Sequence, residues 1–283
     1  MITCTLMGGL GNQLFQIFAI IAYCLQHRIQ FKFLYSTRIP SITPRHSYWD
    51  SFLKSLKFFT VTSLPNNLER ISVPTGKHIS LSELNKSNNK NVNFHGYFQS
   101  HKFFDDQKTD IFRLIRLAEH KQKLMLEMES PNMENTLSLH FRLGDYKHLS
   151  HTHPIMSVNY YINALTYILS KSTEQKYKVY YFCEEEDNSF VKETYISPIS
   201  QIFPSLKFEK VNDKLEDWKQ VIFMSCCKHN IIANSTFSWF GAYFNTTSPQ
   251  PIVCYPHIWF AGETASQVDT SDLFPPQWVK ITC

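Results

Sequence analysis

Apolar residues recur in two different registers along the first thirty positions. Ile2, Thr3, Cys4, Thr5, Leu6 and Met7 form a short β-prone opening, followed at once by Gly8-Gly9-Leu10-Gly11-Asn12. Beyond the glycines, apolar positions fall at helical spacing through Gln26. The pattern predicts a strand, a tight turn and a helix. A second strand is expected over 30–35, ahead of a stretch punctuated by Pro40 and Pro44. The polar run over 85–93 reads as a surface loop, and a helical pattern covers 110–129.

After residue 136 the alternation becomes regular. Strands are predicted over 137–141, 178–183, 206–211, 230–233 and 251–255, and helices over 159–170, 189–195, 215–228 and 237–244. A β/α alternation of this kind argues for a parallel sheet covered by helices on both faces, Rossmann-like in the general sense. Turn formers cluster in Ser130-Pro131-Asn132-Met133-Glu134-Asn135, which sets the expected boundary near residue 132. The expected domains are 1–132 and 133–283.

Composition narrows the function. The 283 residues are 43% hydrophobic and 15% aromatic, enough apolar material for one large domain or two ordinary ones. The net charge of +4 comes from interspersed Lys and Arg with no block of like charge, which suits an anionic small molecule and not a nucleic acid. Seven Cys, without any C-x-x-C pair, indicate reduced thiols, not a zinc framework or a disulfide scaffold. Cys226 and Cys227 lie in an apolar helical stretch that suits buried packing. The apolar run over 14–25 carries Gln16 and is well short of the ~20 residues that cross a bilayer. With no signal-peptide pattern around it, a cytoplasmic protein without a membrane span is expected. The sequons at Asn85, Asn234 and Asn245 then need not accept glycans.

Three segments fall where ligands gather in parallel sheets, at the carboxyl ends of strands and the N-termini of helices. In Gly8-Gly9-Leu10-Gly11-Asn12-Gln13 the glycines permit a sharp turn and close approach to the backbone. Either a structural turn or a ligand cradle fits, and the adjacent amides of Asn12 and Gln13 favour the cradle. In His140-Phe141-Arg142-Leu143-Gly144-Asp145-Tyr146, strand alternation puts His140 and Arg142 on one face and Leu139 and Phe141 on the other. Arg142 can grip phosphate oxygens, or simply brace the turn through Asp145. In the third segment, Asn234, Ser235, Thr236 and Ser238 cap a helix and with its free N–H groups offer a donor nest for a pyrophosphate. Trp239, Phe240 and Tyr243 read as packing between helix and sheet. Glu184-Glu185-Glu186-Asp187 reads as a solvated loop or a source of one ribose contact, and His148, His151 and His153 as a polar loop, not a metal site. No Asp-x-Asp occurs.

Taken in order, Met7-Gly8-Gly9-Leu10-Gly11-Asn12-Gln13-Leu14-Phe15-Gln16, the segment from His140 to Tyr146, and Asn234-Ser235-Thr236-Phe237-Ser238-Trp239-Phe240-Gly241-Ala242-Tyr243 resemble the α-1,2-fucosyltransferase family, glycosyltransferase family 11. Gly96-Tyr97-Phe98-Gln99-Ser100, the His229-Asn230-Ile231-Ile232-Ala233 strand and Trp259-Phe260 extend the likeness from residue 7 to about residue 278. The resemblance implies an α/β GT-B architecture, two Rossmann-like domains facing a central cleft, with the nucleotide held mainly by the C-terminal one. It implies GDP-β-L-fucose as donor, inversion at the anomeric carbon, and O-2 of a terminal galactose on a glycan or oligosaccharide as acceptor. No metal and no further cofactor is expected.

Carried onto this chain, the resemblance makes Arg142 the group that neutralises charge building on the β-phosphate. Asn12, on the facing domain, positions the reacting centre or the departing phosphate, and Asp145 orients Arg142 or acts as base. Donor contacts are expected from Gly9, Gly11, Asn12, His140, Arg142, Asn234, Ser235, Thr236, Phe237 and Ser238. The sequence departs from the family at Leu143, where a second Arg is common, at Phe240, where a second Trp is common, and at Cys183-Glu184-Glu185-Glu186, which replaces a Ser-Asp-Asp-like stretch. Rival readings are another linkage or another GDP-sugar, and a non-catalytic nucleotide- or glycan-binding module. A Rossmann oxidoreductase is a third, disfavoured by the lack of G-x-G-x-x-G.

Overall fold

The opening strand and the glycine turn fold as the pattern predicts. β1 (Ile2–Cys4) runs into α1 (Leu10–His27), and from Leu10 to Cys24 every residue except Asn12 is buried. A helix buried on nearly all sides belongs in a core, not at a surface, and Phe15 and Phe18 both pack on Phe104. The computed structural model of the chain describes residues 1–39, 45–86, 88–129, 131–174, 176–246 and 251–282. Pro40, Pro44, Ser87, Ser130, Thr247 and Cys283, which entered the sequence reading, lie outside the described residues.

Two compact units divide the chain: Met1–His120 with Val268–Pro275, and Lys121–Gln267 with Pro276–Cys283. The division falls inside a helix and not at the turn-rich segment near 132. The helical pattern over 110–129 folds as α3 (Lys108–Leu114) and α4 (Leu117–Glu127), interrupted where Arg116 takes a left-handed conformation. Within α4, His120 packs on Phe52 in the first unit, whereas Lys121 donates to the Ser225 and Phe244 carbonyls in the second. Tertiary anchoring therefore overrides the turn signal.

In the first unit β1 is central. It pairs in parallel with β7 (Val92–His95), which pairs in parallel with β6 (Glu69–Ser72). On its other side Ile2 bridges Phe31, just ahead of β2 (Phe33–Leu34), which pairs in parallel with β5 (Thr60–Val61). β3 (Arg38–Ile39) and β4 (Arg45–His46) form a small antiparallel pair. The polar run over 85–93 is not a plain surface loop. After α2 (Leu81–Leu84), Asn85 is 1% exposed, its amide donates to the Tyr23 hydroxyl and the Asn89 carbonyl, and β7 begins at Val92.

The second unit holds the remaining strands: β8 (Thr136–His140), β9 (Lys178–Phe182), β10 (Lys207–Lys210), β11 (His229–Ile231), β12 (Val253–Pro256) and β13 (Val279–Ile281). Among the described residues they form one parallel sheet in the order β10-β9-β8-β11-β12-β13. With β8 counted as the first strand this is the order 3-2-1-4-5-6 of dinucleotide-binding folds. Helices α5 (Val158–Lys171), α8 (Asp217–Cys226) and α9 (Thr236–Tyr243) link the strands. The helix expected over 189–195 is longer: α6 (Asn188–Val191), a π turn (Lys192–Ile196) and α7 (Ser197–Ile202) form one run. Both units are thus Rossmann-like, as the GT-B expectation requires. A last short helix, α10 (Gly262–Gln267), and the edge strand β13 carried too little periodicity to be foreseen.

A polar knot pins the centre of this sheet. The Asn230 amide on β11 donates to Ser138 Oγ of β8 at 2.7 Å and to the Met224 carbonyl of α8 at 2.8 Å, while the Asn245 amide donates to Asn230 Oδ1 at 2.8 Å. All of these side chains are buried, so breaking the knot strands several polar groups without water. Asn230→Val should therefore lower the unfolding free energy by roughly 3 kcal/mol, read by urea denaturation. A change under about 1 kcal/mol would show that the knot is not a structural anchor.

Candidate active site

The strand order places the break in connectivity between β8 and β11. From β8 the chain works outward to β9 and β10, and from β11 outward to β12 and β13, so the segments leaving the two adjacent carboxyl ends diverge. Ligands of such sheets lie in the crevice this leaves. The His140 to Tyr146 segment follows β8, and Asn234 to Ser238 follows β11.

Alternation along β8 holds as expected. Leu137, Leu139, Phe141 and Leu143 join one apolar cluster, and His140 and Arg142 stay out of it. The Arg142 guanidinium donates through one edge to Glu184 and through the other to Asp145, and it lies 5.1 Å over the Tyr146 ring. Its side chain is 20% exposed against 43% for Asp145 and 50% for Glu184, so both carboxylates can leave it for water more readily than it can leave the crevice. The turn that carries Asp145 is tight: Gly144 has φ +37°, and a Cβ there would lie 2.5 Å from a Glu184 carboxylate oxygen.

Asp187 was foreseen only within an acidic run read as a solvated loop or a source of one ribose contact, and for Asp187 the solvated reading is corrected. It is 1% exposed, accepts the Gly144 N–H at 3.0 Å and pairs with Lys147. Asp187 therefore clamps the Gly144 turn from the end of β9. The signal was available, because the run follows a strand end as directly as the other two segments do.

Across the crevice, Tyr146 donates its hydroxyl to the Asn234 carbonyl at 3.0 Å and so ties the two segments together. Burial pushes the Tyr146 phenol up to about 12, so it keeps its proton for this bond. Asn234 is 2% exposed and spends its amide on the Pro154 and Trp259 carbonyls, leaving Oδ1 without a partner among the described residues. Ser235 caps α9 by accepting the Phe237 N–H at 3.4 Å, and buried Ser238 donates back to the Ser235 carbonyl at 3.3 Å. Of the hydroxyls expected in a donor nest, Ser238 is thus turned inward as a brace, while Thr236 at the start of α9 is half-buried. Phe237 lies 5.5 Å from the His140 ring. His140 is 6% exposed and its Nδ1 has no partner among the described residues, so it is not a satisfied core histidine.

The first unit holds the other predicted residues. Gly8 turns with φ +75°, and a Cβ there would lie 2.5 Å from the Asn12 amide nitrogen. Gly9 caps α1 through its backbone, with open space where a Cβ would stand, and Gly11 is buried in the helix. Gln13 and Gln16, fully buried, brace the turn through Gly8, His46 and Met7, so the Gln13 amide expected for a ligand serves the fold. Asn12 instead accepts from Gln99 at 3.0 Å, which ties the turn after β1 to the one after β7. No grouping of three or more His, Cys, Asp or Glu suited to a metal ion occurs among the described residues, and no helix there is long and apolar enough to cross a membrane.

The sequence model of glycosyl transferase family 11 matches residues 1–282. The chain belongs to that family. An O-antigen biosynthesis glycosyltransferase WbnK of Escherichia coli is 31% identical to this family 11 chain over 182 residues, 61% of the chain and 56% of that protein. The alignment thus spans little more than half the length of that relative. An alpha-1,2-colitosyltransferase of Escherichia coli is 26% identical over 98% of the chain and 97% of its own length. The crystal structure of POFUT1 in complex with GDP-fucose aligns with 90% of the chain and 97% of its own, at TM-score 0.47 and 9% identity.

The buried histidine of this family 11 site gives a pH signature. Burial, with the Arg142 charge second, lowers His140 to about 3. An unfolded His near 6.5 takes up its proton earlier, so the neutral ring stabilises the fold fully above pH 6.5 and progressively less down to about pH 3. His140→Phe should flatten the loss of unfolding free energy between pH 7 and pH 4, measured by denaturation at each pH. An unchanged slope would contradict the assignment of a neutral buried ring.

Proposed function

We propose that the chain transfers L-fucose from GDP-β-L-fucose to a sugar hydroxyl with inversion, with O-2 of a terminal galactose as the acceptor atom. The observation that carries this reading is Arg142, held at the point where the strand order reverses, opposite the N-terminus of α9. A diphosphate there meets a cation that cannot lose its proton, together with helix N–H groups. Family membership supports transfer to sugars, and the sequence motifs support the fucosyl donor.

In this reading the acceptor hydroxyl oxygen attacks the anomeric carbon from the face opposite the diphosphate and gives up its proton to solvent. The bond from that carbon to the β-phosphate oxygen breaks, GDP departs, and the β-linked donor gives an α-linked product. Negative charge grows on the β-phosphate as the bond lengthens, and Arg142 stabilises it more in the transition state than before. The two carboxylates hold the guanidinium in place while the site is empty, and the diphosphate displaces the more exposed Glu184. Asp145, with its oxygen spent on Arg142, is assigned the orienting role instead of that of base. His140, Thr236, Phe237 and the cap at Ser235 border the donor. Because Arg142 supplies the charge, no metal or cofactor is required.

The match to an alpha-1,2-colitosyltransferase favours one second reading, a related deoxyhexose donor on the same phosphate site. A panel of GDP-fucose, GDP-colitose and GDP-mannose, with terminal-galactose acceptors and with or without EDTA, separates the two. EDTA-insensitive transfer from GDP-fucose is expected. Arg142→Ala should cut turnover of order 10²-fold while the thermal transition stays in place. Near-normal turnover in the folded variant overturns the role of Arg142, and transfer only from another GDP-sugar overturns the donor.

A further inference from the structure

The loop that carries His148, His151 and His153 has no place in the reading above, yet it touches the catalytic cation through a single ring. Arg142 lies over Tyr146, and Tyr146 is stacked on the imidazole of His153 at 4.6 Å between centroids and 21° between planes. Phe260 packs against His153 at 5.4 Å. The loop under this stack is well anchored: the Leu149 carbonyl accepts from Thr152 N and His153 N at 2.9 and 2.8 Å, and the Thr152 carbonyl accepts from Ala261 N at 2.9 Å. The His153 Nδ1 is buried without a partner among the described residues, so the ring is held by its faces and not by a hydrogen bond at that nitrogen.

Guanidinium direction is set by what lies at its edges and beneath its face. Asp145 and Glu184 hold the edges, but both are substantially exposed and Glu184 must yield to a diphosphate. The face contact remains when Glu184 moves. A planar cation on an aromatic ring keeps its plane only if the ring keeps its own. Tyr146 is fixed at one end by its hydroxyl bond to Asn234; a single bond leaves the ring free to rock about it, and a stacked neighbour removes that freedom.

We infer that His153 is a positioning residue for Arg142: by stacking on Tyr146 it fixes the plane on which the guanidinium rests while Glu184 releases it. The inference rests on the reading that Arg142 stabilises the departing diphosphate. Its chemistry is consistent with the site, since burial lowers the imidazole below the ordinary histidine range and keeps it neutral, adding no second cation beside Arg142. Planarity is the property that matters, not basicity.

Two substitutions separate these properties. His153→Leu keeps the bulk and loses the planar ring; His153→Phe keeps the ring and loses both nitrogens. In steady-state donor turnover by the purified full chain, His153→Leu should lower kcat about ten-fold with the acceptor KM unchanged, and His153→Phe should restore most of it. In the Arg142→Ala background His153→Leu should cost nothing further, because residues that act through one another are not additive. Full kcat in His153→Leu alongside an impaired Arg142→Ala overturns the inference alone, as does a His153→Phe no better than Leu in a folded protein, or a multiplicative loss in the double variant. A fully active Arg142→Ala instead overturns the role of Arg142 on which the inference rests.

Discussion

β8 and β11 lie side by side and parallel, yet the chain leaves their carboxyl ends in opposite directions. That geometric constraint organises the second unit. Two connections that diverge cannot fill the space above the strands they leave, so the crevice is a consequence of strand order and not of any particular side chain. The side chains then exploit it. Arg142 leaves the end of β8 with its guanidinium gripped at both edges, and the start of α9 presents its N-terminus from the end of β11. Tyr146, bonded to the Asn234 carbonyl, holds the two edges of the crevice at a fixed span.

The supporting structure is built for rigidity. Asp187 is a buried carboxylate that serves a backbone N–H and a lysine, and it fixes the turn at Gly144 from the neighbouring strand end. Below the crevice, the Asn230 knot locks β8, β11 and α8 together through bonds that water cannot replace. A cation meant to meet developing charge must be in place beforehand, because reorganising it during the reaction forfeits the stabilisation. In the proposed reaction the part-buried bonds of Asp187 and Tyr146 beside Arg142 supply that preorganisation, while the exposure of Glu184 leaves one edge open to exchange with a ligand.

Much of this was legible in the sequence. The alternation of β8 separates Leu139 and Phe141 from His140 and Arg142 because a strand has a period of two, and the structure keeps that separation. The regular β/α alternation after residue 136 gave the parallel sheet. What sequence could not supply was pairing. Asp187 directly follows exposed Glu184, Glu185 and Glu186 in a run of identical charge; the run's place after a strand end was legible, but nothing local distinguishes the one carboxylate that the fold buries. Gln13 and Gln16 look like ligand groups beside a glycine turn, but burial in α1 turns them into braces of their own loop. The unit boundary moved into α4 because the anchoring of Lys121 on Ser225 and Phe244 is a long-range contact that no turn residue signals.

The central claim is that the diphosphate of the donor binds where the strand order reverses and is met there by Arg142. A crystal structure of the chain with GDP tests it most directly. The β-phosphate is expected within hydrogen-bonding distance of the Arg142 guanidinium, with Glu184 released and the start of α9 facing the phosphate. GDP bound elsewhere, with Arg142 still paired to both Asp145 and Glu184, would contradict it.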